Sequence, residues 1–138
     1  MRFTYVFAGM LMAIPALQAQ SAPGTAQVER GRYIVEEVAK CQDCHTPRGE
    51  DGNLDKSRWL KGAVLDFTPM KPVQGWHKTS PNLTPDGNLL KKWGEPGLVK
   101  YLTTGLNPRG NAADPPMPAY KLKPEDAEAV VAYLKSLP

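Results

Sequence analysis

Cys41-Gln42-Asp43-Cys44-His45 constrains this chain more than any other five residues in it. Two thiols three positions apart, with an imidazole next in line, are spaced to add to the two vinyl groups of one haem and to set the imidazole under its iron. The pattern is selective because Cys41 and Cys44 are the only cysteines in the chain, and His77 is the only other histidine. A tetrahedral zinc site would need all four of these side chains, with adjacent Cys44 and His45 aimed awkwardly at one ion. A dithiol redox pair would want a strand-helix-strand setting that the flanking sequence lacks. A plain local disulfide would leave His45 without a role. The motif therefore predicts one covalently attached haem c with its iron, bound through Cys41 and Cys44, with His45 as an axial ligand.

Thioether attachment belongs outside the cytosol, and the chain opens accordingly. Met1 to Gln20 carries one basic residue, Arg2, then an apolar run from Phe3 to Leu17 and a small-residue exit at Leu17-Gln18-Ala19. Residues 1–19 read as a signal peptide cut after Ala19, which predicts periplasmic export. The competing reading, an uncleaved anchor, meets a run shorter than the roughly 20 apolar residues a spanning helix needs. No other segment is apolar enough to cross a bilayer, so the mature chain, residues 20–138, is expected to form one soluble domain. A formal net charge of +3 is too mild for nucleic-acid binding.

Apolar positions mark three helices. Gln27 to Lys40 is amphipathic, with Val28, Ile34, Val35, Val38 and Ala39 on one side and Gly31 inside, where a close helix crossing would explain it. Glu95 to Thr104 starts near Pro96 and stops at Gly105. Pro124 to Leu137 buries Ala127, Val130, Val131, Leu134 and Leu137, but lacks a good capping side chain at Lys123. Thr46 to Asn88 shows no sustained period, only turn signals and room for one short strand or turn pair. So long a loop suits a compact fold only if it wraps something large and apolar, which a haem would supply. Gly49 to Lys61, sparse in apolar residues, also admits a disordered insertion. The expected fold is all-α, three to five helices wrapped around one haem, with long loops.

A sixth iron ligand decides between electron transfer and small-molecule binding. Met70, Met117 and His77 are the candidates. Met117 has the best setting, because Pro115-Pro116-Met117-Pro118 is stiff enough to hold a weak thioether on iron through oxidation and reduction. The expected metal ligands are thus His45 and Met117. An open sixth position would instead make the protein a haem enzyme or a sensor of gas or peroxide.

These residues resemble the class I c-type cytochrome family, from Val28-Glu29-Arg30-Gly31-Arg32-Tyr33 through the Cys41 to His45 motif to Ala129-Val130-Val131-Ala132-Tyr133-Leu134. A narrower likeness runs through Ser80-Pro81-Asn82-Leu83-Thr84-Pro85-Asp86, Trp93, Tyr101-Leu102-Thr103-Thr104-Gly105 and Pro116-Met117-Pro118-Ala119-Tyr120. It is similar to the haem domains in cytochrome subunits of bacterial periplasmic alcohol and sugar-acid dehydrogenases. The matching methionine there is the iron ligand, which supports Met117. The resemblance implies that the first and last helices cross with Gly31 facing Tyr133 and Leu134, and that the Pro81 to Asp86 loop and Trp93 lie near the haem. Packing is an equal reading of Trp93. Those subunits carry three haem motifs and this chain one, so it looks like a free-standing, monomeric relative. The implied function is one-electron transfer between redox proteins such as a dehydrogenase, an oxidase or another cytochrome, without substrate chemistry. A bound subunit of a dehydrogenase complex is the alternative. Lys40, Lys121 and Lys123 could form a basic rim around the haem edge, or be scattered solubilising charges.

Overall fold

A computed structural model describes residues 23–138, so the expected leader and its cleavage site lie outside the described residues. The first helix, α1 (Pro23–Tyr33), opens on a proline, whose missing N–H costs nothing in a first turn. It runs straight into a π-helical turn, Ile34–Val38, closed by the Ala39 N–H donating to the Ile34 carbonyl at 2.7 Å. Lys40 then turns left-handed, with φ 51° and ψ 42°, and ends the element. The helix expected over Gln27–Lys40 therefore starts earlier and stops short of Lys40. Cys41–His45 forms a separate short helix, α2, re-aimed by that turn.

The long segment after α2 is built on two tethers. β1 (Ala63–Val64) pairs antiparallel with β2 (Thr79–Ser80), Ala63 opposite Ser80 and Val64 opposite Thr79. Gly49 to Lys61 is ordered, against the disorder alternative. Asp55 caps the 3-10 turn Lys56–Arg58 by accepting from the Ser57 N–H at 2.9 Å, and Leu60 is fully buried, its N–H donating to Thr46 Oγ1 at 2.9 Å. Neighbouring Trp59 packs against the core and donates from Nε1 to the Tyr133 hydroxyl at 3.4 Å.

The next helix, α3 (Asn88–Thr104), is longer than Glu95–Thr104 and kinks at Gly94, with φ 65° and ψ 176°. Only its second half was expected, because Gly94 with Pro96 reads as a beginning when it is a bend inside the element. It closes at Gly105, φ 74°, whose N–H donates to the Tyr101 carbonyl at 2.8 Å. The last helix, α4 (Pro124–Ser136), matches expectation to within one residue, including the missing side-chain cap at Lys123.

Gly31 is where α1 and α4 cross. A Cβ there would overlap the Ala129 carbonyl and lie 2.8 Å from Tyr133 Cβ, so only glycine lets the two helices approach this closely. Ile34, Val35, Leu60, Val130, Tyr133 and Leu134 form the core against that crossing. Each large apolar side chain buried there contributes about 1.5–3 kcal/mol. The surface pair Arg30–Asp126 at 2.9 Å is open to solvent at the arginine and screened there, so it adds little beside the core.

Candidate functional site

The short helix α2 sits on one wall of a cavity of about 510 Å³, within the size range of cofactor sites. Cys41, Cys44 and His45 line that wall; Pro116, Met117 and Pro118 line another; Trp93, Leu98 and Tyr101 of α3 contribute an apolar side. The structure thus brings together the four residues expected to hold the cofactor. A more open depression of about 620 Å³ on the other side of Cys44, bordered by Arg48, Arg58, Lys61 and Asp66, contains neither Cys41 nor His45 nor Met117 and is not this site.

His45 is buried and its orientation is fixed from far along the chain. Its Nδ1 lies 2.9 Å from the Pro81 carbonyl oxygen. A carbonyl can only accept, so Nδ1 carries the proton and Nε2 is left with the lone pair that a metal would use. Burial also lowers the pKa of His45, which favours the neutral imidazole needed for ligation. The end of α2 is held by the β1–β2 pair: Ser80 Oγ donates to the Cys44 carbonyl at 2.5 Å, and the Gly62 N–H donates to the His45 carbonyl at 2.8 Å.

No disulfide joins Cys41 and Cys44. Burial pushes Cys41 up to about 11 and also raises Cys44, so both rest protonated. A reactive dithiol pair needs the opposite shift, so these environments do not favour that chemistry. No group of three or more His, Cys, Asp or Glu side chains suited to a metal ion occurs among the described residues. Two thiols three positions apart, a neutral imidazole, a thioether and an apolar cavity are a donor set that fits haem.

The Met117 segment is clamped at both ends. Its own N–H donates to the Asp114 carbonyl at 3.1 Å, and the His77 N–H donates to the Pro115 carbonyl at 2.8 Å. Beyond it, Tyr120 lines the cavity and its hydroxyl donates to the Ala39 carbonyl at 3.0 Å, next to the turn that launches α2. Of the other candidates, Met70 is wholly exposed and lines no part of the cavity. His77 lines the cavity, but its Nε2 lies 3.4 Å from Asp114 Oδ2 at the surface. Trp93 serves both readings given to it, lining the cavity and packing edge-on against Tyr101 at 5.1 Å. The basic rim is partly engaged: Lys40 pairs with Glu37 at 2.9 Å and Lys121 donates to the Thr104 carbonyl at 3.2 Å.

Sequence reasoning missed the working parts of Ser80, Pro81 and Tyr120. Ser80-Pro81 and Tyr120 stood in the motifs of the family resemblance, yet a backbone carbonyl such as that of Pro81 leaves no side-chain signal to read.

A family model described as Cytochrome c matches residues 28–138. The chain belongs to the cytochrome c family. Its all-α architecture is accordingly the cytochrome c fold, and the family implies haem c with its iron and points to electron transfer. The chain is 38% identical to a diheme cytochrome c-type protein of Cereibacter sphaeroides, covering 80% of this chain and 35% of that protein. It is 34% identical to the fructose dehydrogenase cytochrome subunit of Gluconobacter japonicus, covering 79% of this chain and 22% of that subunit. It is 31% identical to the cytochrome c subunit of a quinone alcohol dehydrogenase of Gluconobacter oxydans, covering 81% and 24% respectively. This cytochrome c thus spans about a third or less of the length of these curated relatives. No helix among its described residues is long and apolar enough to cross a membrane.

Proposed function

We propose that this cytochrome c carries one haem, attached through Cys41 and Cys44 and ligated by His45 and Met117, and passes single electrons between redox proteins in the periplasm. The observation that carries the reading is the His45–Pro81 hydrogen bond, which leaves Nε2 available in the same cavity that Met117 lines from another wall. Bound haem supplies a one-electron couple, and a histidine with a methionine raises its potential relative to two histidines. The chain does the rest. Pro81 fixes the imidazole, the clamped Met117 segment keeps a thioether at the cavity wall, and the apolar side of α3 excludes water. The leader-like residues 1–19 and thioether chemistry support periplasmic export.

Absorption spectra of the purified, exported protein test this reading. Ferric wild type shows the weak far-red band of methionine sulfur on iron, and Met117→Ala loses it while keeping covalent haem. A wild type without the band refutes Met117 ligation, and a wild type without covalent haem refutes the assignment as a whole.

A second reading is favoured by the relatives, two of which are named as cytochrome subunits of dehydrogenases: a carrier that works as a bound subunit. Co-purification with a dehydrogenase from the native source separates it from a freely diffusing carrier.

A further inference from the structure

The excursion between β1 and β2 has two faces with different chemistry. Its inner side faces the cavity, where Leu65, His77 and Thr79 contribute lining. Its outer side carries Val64 (77% exposed), Phe67, Met70 and Val73, four of the seven large apolar side chains that the described residues leave exposed. Concentrating them in ten residues beside the cofactor cavity is not what scattered surface hydrophobes do. The excursion has a defined shape. Phe67 packs edge-on against Trp76 at 5.8 Å, the Trp76 N–H donates to the Val73 carbonyl at 3.3 Å, and the Leu65 N–H donates to the Lys78 carbonyl at 2.9 Å.

Charge identifies what covers this face. Lys71 and Lys78 are exposed on the same excursion and have no carboxylate partner among the described residues. The nearby acids have contacts of their own, Asp66 with the Arg48 cation at 3.2 Å and Asp114 with His77 at 3.4 Å, the second an ion pair only when His77 is protonated. An apolar centre edged by two unmatched cations complements an apolar patch edged by carboxylates. A second copy of this chain fits poorly, because a symmetric contact would bring the lysines of both copies together.

We infer that the outer face of the Val64–Lys78 excursion is a docking surface for an acidic one-electron redox protein. The inference rests on the carrier reading above and deepens it. The partner gives up one electron and the cytochrome's haem gains it, with no atom or proton transferred. Docking here sets the partner against one wall of the haem cavity.

The test uses flavodoxin, a small acidic flavoprotein, as the probe, titrated against the oxidised holoprotein and followed by calorimetry. Lys71→Glu with Lys78→Glu weakens binding about tenfold at roughly 10 mM ionic strength, and the difference collapses at roughly 500 mM as screening shortens the Debye length. Val64→Ser with Met70→Ser, both at side chains open to solvent, weakens binding about fivefold at either salt, as loss of an apolar centre predicts. Binding equal to wild type in both double variants overturns the proposal. So does patch-dependent self-association in sedimentation, which would assign the face to a second copy, or patch-dependent binding to vesicles of anionic lipid without flavodoxin binding, which would assign it to a membrane. Reduction by dithionite is run in parallel: absence of a haem spectrum in wild type refutes the carrier reading, whereas normal reduction with unchanged flavodoxin binding refutes the docking surface alone.

Discussion

Replacing Tyr120 by phenylalanine removes one oxygen from the cavity wall and leaves the ring in place. The lost hydroxyl donates to the Ala39 carbonyl at 3.0 Å and is the side-chain tie between the Met117 segment and the turn ahead of α2. Leaving that partly buried carbonyl without its donor costs about 1–2 kcal/mol. The cost falls on the closed position of the segment, because the open position never had the bond. A shift of about 1.4 kcal/mol changes the equilibrium tenfold. Under the proposed His45 and Met117 ligation, exogenous imidazole competes with the Met117 sulfur for iron, so its apparent affinity in Tyr120→Phe rises about tenfold over wild type. The assay is an imidazole titration of the ferric protein, followed by loss of the methionine-to-iron band. Burial pushes Tyr120 up to about 12, so the phenol remains a neutral donor and the ratio of affinities is flat through neutral pH. Equal imidazole affinity in the two proteins, with the band and fold intact, refutes the clamp.

Two further outcomes follow from packing and charge. Gly31→Ala gains about 1 kcal/mol of helix propensity but drives a methyl into the Ala129 backbone, where neighbours cannot yield, at an overpacking cost of about 1–3 kcal/mol or more. The net change is destabilising, and a thermal melt equal to or above wild type contradicts the close crossing. Asp55 is held down at about 2 by hydrogen bonds from Ser57 and Arg58, so its folded pKa lies below its unfolded one. Its stabilising contribution is complete above the ordinary carboxylate range and is lost as pH falls toward 2. Asp55→Ala is therefore less stable than wild type at neutral pH in urea titrations, and the gap closes in acid; a pH-independent gap removes the cap from the account.

What could be read from the sequence was what local pattern encodes. The five-residue motif carries its own chemistry, and α4 announces itself through Ala127, Val130, Val131 and Leu134 at helical spacing, all buried. The errors came where a residue's conformation or partner is set from a distance. Gly94 and Pro96 form a bend inside α3 that looks, from sequence, like a helix start. Lys40 adopts a left-handed turn that no lysine advertises. Trp59 and Leu60 sit in a stretch too polar to suggest a core, yet Leu60 is fully buried because Thr46 and the core cluster receive it. At the site, the sequence marks Cys41, Cys44, His45 and Met117 as candidates, and all four line one cavity. Their supports were not legible, since Pro81 acts through a carbonyl and Tyr120 through a contact with a residue far along the chain.

The crossing at Gly31 also sets an order of events in time. Gly31 and Ala129 are about 100 residues apart, so their contact closes a loop at an entropic cost of about 4 kcal/mol beyond the constant for short loops. It cannot form until nearly the whole chain is present. Before that moment Cys41 and Cys44 are on an open chain with ordinary acidity and free access. Afterwards burial holds Cys41 near 11, a sluggish nucleophile. Cys41 is therefore most receptive before the exported chain has folded, and the contact that completes the molecule also closes over it.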